Sequence, residues 1–326
     1  MPSIPLMLAI AIPAALFGFT AWQSARISAQ FPPQGEFVAL AGGRIHLTQR
    51  QAQGHPRGTI VLIHGASGNQ ADMMLPLGDR LAAKGFRVIA VDRPGLGWSD
   101  RPDGRADASP ARQAIVIREA LGKIGVEHAI IVTHSLAGAL GTNFALDQSD
   151  FTDGLVLVAP VTHPWPGGVA WYYHVAATPV VDQLFTRLLS LPVGFASLQG
   201  GIDHVFAPQP APADFLNATG VPLVLRPASF MANSEDVAVL EAFVTAQAPR
   251  LKDIRLPVAI VTGDQDRVVL THIHSYGSAR EIPGATLKVL PGVGHSPHWA
   301  DPEAVVAVIE GVAERVEAGK SAALAK

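Results

Sequence analysis

The sequence predicts an α/β protein: a doubly wound, mostly parallel sheet, entered through an antiparallel hairpin and interrupted by a mostly helical insertion. Three observations predict it. Six short runs rich in β-branched residues are apolar throughout instead of alternating, as strands covered on both faces are. The segments between most of them are long enough for crossover helices. The rhythm fails once, between Val161 and about Leu256, where no comparable run occurs.

The elements follow in chain order. Ile4 to Trp22, IPLMLAIAIPAALFGFTAW, carries no charge, and the first charged side chain is Arg26. As a helix this tract is about 28 Å long, close to the hydrocarbon thickness of a bilayer. Residues 1–30 are therefore expected to form a membrane anchor, with membrane association through residues 4–22. The alternative is export after signal-peptide cleavage near Ile27-Ser28-Ala29. Arg26, Arg44 and Arg50 all follow the span, which favours a cytoplasmic globular part. Phe31-Pro32-Pro33-Gln34-Gly35 reads as a stiff linker, because two prolines forbid helix. EFVAL, Ala41-Gly42-Gly43 and RIHLTQR read as the antiparallel hairpin. TIVLIHG from Thr59, RVIAVD from Arg87, HAIIVT from His128, GLVLVA from Gly154, PVAIVTG from Pro257 and TLKVL from Thr286 supply the parallel strands. Ser109-Pro110 offers an N-cap and a first-turn proline to ARQAIVIREAL. Within the insertion, VVDQLFTRLLSL repeats Val181, Leu184, Phe185 and Leu188 at helical spacing. The expected organisation is a core of residues 36–160 and 257–326 with a cap of residues 161–256.

Composition removes several function classes. A net charge of −3 without a long Lys/Arg run leaves no footprint for nucleic acid. The absence of cysteine excludes disulfides, thiolate metal sites and cysteine nucleophiles. No P-loop occurs, and no G-x-G-x-x-G follows a strand to open a helix, so no nucleotide cofactor is expected. His272-x-His274 and His295-x-x-His298 are the close histidine pairs, and without a neighbouring carboxylate cluster no metal is expected.

In an open parallel sheet the functional crevice lies at the carboxyl ends of the strands. Four groups fall there: His64-Gly65 after TIVLI, Ser135 in AIIVTHSLAGALG, Asp264 or Asp266 after AIVTG, and His295 in PGVGHSPHW. A serine hydroxyl is a weak nucleophile, so it needs a base within reach and a third group to orient that base. Histidine suits the base role because it exchanges a proton near neutrality.

The pieces IVLIHGASGN, VIAVDRPGLGWSDRP, VTHSLAGALG, TGDQDRVV and PGVGHSPHWADP, in this order, resemble the α/β-hydrolase superfamily from about Glu36 to near Val316. That resemblance implies the α/β-hydrolase fold, a nucleophile at Ser135, a base at His295, an acid at Asp266 and a lid between Val161 and Leu256. It also implies an oxyanion hole made by the backbone N–H groups of Ala66 and Leu136. Thr133 and Ala137 depart from the pattern, standing where G-x-S-x-G has glycines. Ala137 adds one methyl group, and the β-branched Thr133 is expected to widen the packing beside the strand.

The expected reaction is cleavage of carboxylic esters or lactones of apolar or aromatic small molecules through an acyl-enzyme, with no cofactor. The serine rules against epoxide hydrolases and dehalogenases, which resemble the chain around DRPGLGWSD but use a carboxylate nucleophile. Carbon–carbon bond hydrolysis and cofactor-free perhydrolysis would use the same three residues. From other classes come a non-catalytic binding or signalling module and a membrane-tethered interaction protein. Substrate choice falls to the insertion, where His163, Trp165, Trp171, Tyr172, Tyr173 and His174 either wall a pocket or pack the lid on the sheet. His64 and His134 are pocket candidates as well, His64 also as a residue shaping the oxyanion loop. Arg226 is placed to meet a carboxylate or to stay in solvent, and Asp92 to tie down its loop.

Overall fold

The apolar runs form one eight-stranded sheet. The computed structural model describes residues 4–324. Its strands are β1 (Glu36–Leu40), β2 (Gly43–Arg50), β3 (Thr59–Ile63), β4 (Arg87–Val91), β5 (Ala129–His134), β6 (Thr152–Val158), β7 (Val258–Gly263) and β8 (Thr286–Leu290). They lie in the order β1-β2-β4-β3-β5-β6-β7-β8. The β1–β2 and β2–β4 pairs are antiparallel and every later pair is parallel.

The helices are α1 (Ile4–Gln30), α2 (Gln70–Ala83), α3 (Pro110–Lys123), α4 (Gly138–Asp147), α5 (Trp171–Ala177), α6 (Val181–Phe185), α7 (Leu191–Phe206), α8 (Phe215–Thr219), α9 (Pro227–Gln247), α10 (His274–Glu281), α11 (Pro297–Ala300) and α12 (Pro302–Leu324). Alternate residues of one strand feed opposite faces of the sheet. Ile60 and Leu62 meet Met73 and Leu77 of α2 and Ile309 of α12 in one cluster, while Val61 and Ile63 meet Ile117 of α3 and Leu140 of α4 in the other. Burying each such side chain stabilises the fold by about 1.5–3 kcal/mol, so both faces must be covered. The apolarity of β3 to β7 has this cause, whereas TLKVL, expected to be covered on both faces, forms the edge strand β8 and is largely exposed.

Helices α5 to α9 lie between β6 and β7 and form the helical insertion. Its longest member, α9, turns polar side chains inward. Asp236 meets Arg93 at 2.7 Å with both side chains fully buried, and Arg101 reaches Asp236 at 3.0 Å and Glu235 at 3.1 Å. Charge pairing thus joins the insertion to the loop after β4. The apolar stripe expected to seat VVDQLFTRLLSL does not do so. Val181 and Leu184 are exposed, while Asp182, Thr186 and Ser190 face inward. Those polar groups are satisfied locally: Asp182 pairs with Arg105, and the Thr186 hydroxyl donates to the Asp182 carbonyl at 2.7 Å.

The N-terminal tract requires a correction. Among the described residues no helix is long and apolar enough to cross a membrane, which overturns the membrane-anchored localisation expected from residues 4–22. The second half of α1 is committed to the protein instead. Thr20 and Ile27 are buried, Ile27 in a cluster with Leu96, Leu191, Leu223 and Leu225, and the Arg187 guanidinium lies 5.9 Å from the centre of the Phe17 ring. Ile27-Ser28-Ala29, expected as a cleavage site, falls inside this docked helix.

Candidate active site

Strand β5 is buried along its whole length and delivers Ser135 at its end. Ser135 has φ +55°, a conformation that side chains other than glycine adopt only at a cost, so the turn lifts the hydroxyl out of the sheet. Thr133 fits because its neighbour lacks a side chain. A Cβ on Gly141 of α4 would lie 2.8 Å from Thr133 Oγ1 and 2.9 Å from Thr133 Cγ2. The wider packing expected at Thr133 is therefore replaced by a glycine one helical turn further on.

The Ser135 hydroxyl donates to His295 Nε2 at 2.9 Å, and His295 Nδ1–H donates to Asp266 Oδ2 at 2.8 Å. Asp266 Oδ1 accepts from the backbone N–H of Val268 and of Val269, each at 2.8 Å, which fixes the carboxylate. All three residues are buried. Asp264 is exposed and spends its Oδ1 on the N–H of Gly292 at 2.7 Å, a turn-holding role.

The loop after β3 approaches Ser135 closely. A Cβ on Gly65 would stand 2.9 Å from Ser135 Cβ, so only glycine fits there. The Ala66 N–H makes no backbone hydrogen bond among the described residues, and Leu136 follows Ser135 in a short 3-10 turn. Next in the loop, Ser67 donates its N–H to Asn233 Oδ1 of α9 at 2.7 Å. Asn233 and Ser67 carry no sequence signal, because their contact joins positions far apart in the chain.

His64 is corrected from pocket wall to scaffold. It is fully buried, accepts the Arg93 N–H on Nε2 at 3.0 Å and donates from Nδ1 to the Gly65 carbonyl at 2.8 Å. Burial, then Arg93, pulls its pKa down to about 4, so the ring is neutral. Asp92 binds its loop, accepting from His46 Nδ1 at 2.7 Å, Gln70 N at 2.7 Å and Trp98 N at 2.8 Å.

Ser135 and His295 open on a cavity of about 800 Å³ roofed by the insertion, with Trp171, Tyr172, Tyr173 and His134 on its wall. Burial, then Tyr172, raises the Tyr173 phenol above its ordinary value, which keeps it un-ionised. Trp165 does not line the cavity. Its Nε1–H donates to the Gly168 carbonyl at 3.0 Å and its ring packs near His274, centres 5.8 Å apart. His163 lies 3.3 Å from Glu281, away from the cavity. Arg226 also lies outside it, stacked 4.6 Å from the centre of the Trp98 ring and donating to the carbonyls of Leu223 and Gly97. No lysine or arginine among the described residues lines the cavity, whereas Asp72 does.

Beside the nucleophile, His134 donates from Nε2 to the His295 carbonyl at 3.0 Å, and its ring lies 4.4 Å from that of His298, centre to centre. Burial, then His298 and His295, holds His134 well below the ordinary histidine pKa. Burial opposes ionisation of Asp72, yet His298, His134 and the Trp299 N–H together hold its carboxyl well below the usual range. The two histidines of His295-x-x-His298 face different partners: His295 faces Ser135 and His298 faces Asp72.

Residues 60–308 match the model of the alpha/beta hydrolase family. The chain is similar to the 2-hydroxy-6-oxo-6-phenylhexa-2,4-dienoate hydrolase of Burkholderia cepacia, 26% identical, with 81% of this chain and 89% of that one covered. Among solved structures it resembles an esterase from Exiguobacterium antarcticum, 20% identical with TM-score 0.69, covering 86% of this chain and all of that one. It also resembles a bacterial membrane phospholipase A, 19% identical with TM-score 0.67, covering 96% of this chain and 95% of that one. These structural likenesses concern the fold.

Proposed function

The chain belongs to the alpha/beta hydrolase family, and on that premise we propose that it is a serine hydrolase of neutral, apolar carboxylic esters or lactones, with residues 161–256 as its lid. The observation that carries this reading is the Ser135 hydroxyl, set on a positive-φ turn 2.9 Å from His295 Nε2 at the floor of an apolar cavity. Ser135 attacks the ester carbonyl while His295 takes its proton, and Asp266 stabilises the imidazolium. The N–H groups of Ala66 and Leu136 receive the oxyanion, each worth about 3 kcal/mol in comparable sites. His295 then protonates the leaving alcohol, and water activated by the same ring releases the acid.

The cavity supports an uncharged substrate. Among the described residues its wall offers no lysine or arginine to a carboxylate, and in the metal-free protein Asp72 would repel one. Trp171, 70% exposed, stands where the wall meets solvent and forms an apolar mouth. A volume of about 800 Å³ accommodates an extended acyl group more readily than an acetyl group. Carbon–carbon bond hydrolysis is the second reading, favoured by the likeness to the Burkholderia cepacia enzyme. No lysine or arginine among the described lining residues would meet the carboxylate of a dienoate.

A substrate panel separates the two. p-Nitrophenyl esters of increasing chain length, simple lactones and a phenyl-substituted oxo-dienoate are offered to the wild type and to Ser135→Ala. The reading expects Ser135-dependent turnover of medium and long esters and none of the dienoate. Turnover of the dienoate alone would establish the second reading.

A further inference from the structure

Two buried imidazoles and a carboxylate from three distant parts of the chain converge beside the nucleophile, and the hydrolytic reading gives none of them a step in the reaction. Asp72 is in the first turn of α2, His134 ends β5 and His298 lies in α11. His134 Nδ1 is 3.8 Å from Asp72 Oδ2, and His298 Nε2 is 3.5 Å from Asp72 Oδ1. Both separations are too long for a good hydrogen bond. His134 Nδ1 and both ring nitrogens of His298 are buried without a hydrogen-bond partner among the described residues. Leaving such atoms unpaired is costly, and a bound ion would partner two of the three, His134 Nδ1 and one ring nitrogen of His298. Among the described residues Asp72 pairs with these two histidines and with no lysine or arginine.

The surrounding bonds match what metal ligands receive from their neighbours. His134 commits its Nε2–H to the His295 carbonyl, which leaves the Nδ1 lone pair toward Asp72. Asp72 Oδ1 accepts the Trp299 Nε1–H at 2.8 Å. One ligand atom from each of the three residues lies within 4.8 Å of the others. Bonds to zinc of about 2.0–2.2 Å set tetrahedral ligand atoms about 3.3 Å apart, so the rings have to draw in by no more than about 1.5 Å.

We propose that Asp72, His134 and His298 form a three-ligand site for a divalent transition metal of the zinc class. Two imidazoles and one carboxylate suit zinc over calcium or magnesium, which take mainly oxygen ligands. Asp72 and His134 also line the cavity, which provides a path of entry and a direction for a fourth ligand. Because His134 holds the His295 carbonyl, an occupied site would also fix the backbone that carries His295.

The test is uptake of the metal itself, independent of any hydrolytic activity. Full-length protein stripped with EDTA is titrated with Zn²⁺ against a chromogenic chelator, and Co²⁺ is substituted for its visible spectrum. One equivalent is expected in the wild type and in His272→Ala, unaffected by excess Ca²⁺ or Mg²⁺. In Asp72→Asn and in His298→Ala, affinity is expected to fall about tenfold or more. Absence of stoichiometric uptake by folded wild type, or uptake that survives both variants, overturns the proposal. Should a variant fail to fold, the wild-type Co²⁺ form decides, since absence of the d–d bands of four- or five-coordinate cobalt refutes the site. A protein that takes up zinc but hydrolyses no ester would refute the hydrolase reading alone.

Discussion

Replacing Gly141 with alanine tests how the turn at Ser135 tolerates Thr133. The new Cβ would lie 2.8 Å from Thr133 Oγ1, 2.9 Å from Thr133 Cγ2 and 2.8 Å from Leu155 Cδ1. Ordinary carbon contacts are about 3.5–4.0 Å, so all three pairs are overpacked. Thr133 cannot swing aside easily, because it is stiff at χ1 and rides on a strand paired on both sides. Alanine gains about 0.8–1.0 kcal/mol over glycine inside a helix. Overpacking costs about 1–3 kcal/mol, and three simultaneous clashes place it in the upper part of that range, for a net loss of about 1–2 kcal/mol. Thr133→Ala removes two of the three clashes together with a buried hydroxyl that has no partner among the described residues. The double variant is therefore expected to recover most of the loss, with a coupling of about 1 kcal/mol. Urea unfolding of the four proteins, followed by tryptophan fluorescence, measures this. Gly141→Ala as stable as wild type, or strictly additive effects, would show that the glycine does not accommodate Thr133.

Three further outcomes are expected. Trp171→Ala raises KM for long-chain esters several-fold with kcat little changed, because the ring contributes binding at the mouth and stands away from the reacting atoms; a fall in kcat alone would contradict this placement. Asp236→Asn lowers stability by about 3–5 kcal/mol in urea, since it leaves the fully buried Arg93 guanidinium uncompensated, and Arg93→Met with Asp236→Leu recovers much of the loss; a loss under about 1 kcal/mol would refute it. Burial and Arg93 hold His64 at about 4, below the ordinary 6.5, so between those values the unfolded chain binds a proton that the folded chain refuses. Stability is accordingly full above pH 6.5 and falls as pH drops toward 4, by on the order of 3 kcal/mol once complete. His64→Asn should flatten that slope of urea midpoint against pH, and an unchanged slope would contradict the assignment.

The centre of the sheet was legible because β3 to β7 must each satisfy both faces at once, leaving continuous runs such as TIVLI and AIIVT. Ser135, Asp266 and His295 stand at strand ends, so their convergence follows from the topology those runs imply. Other features depend on partners that no local pattern announces. Gly141 matters only because Thr133 faces it, and Asp72, His134 and His298 meet across three separate elements. Helix α6 misleads because its inward polar groups are satisfied by Arg105 and by its own backbone, which leaves the apolar stripe outside. The uncharged N-terminal tract misleads for a related reason. Composition alone does not distinguish a helix bound for lipid from one that docks on Leu191 and Leu223.

The central claim is that Ser135 is a nucleophile served by His295 and Asp266. Treatment with a fluorophosphonate, read by intact mass and peptide mapping, tests it most directly. The account predicts one adduct per chain, located on Ser135, forming far more slowly in His295→Ala and not at all in Ser135→Ala. Folded wild-type protein that forms no adduct, or forms it on another residue, would contradict the account.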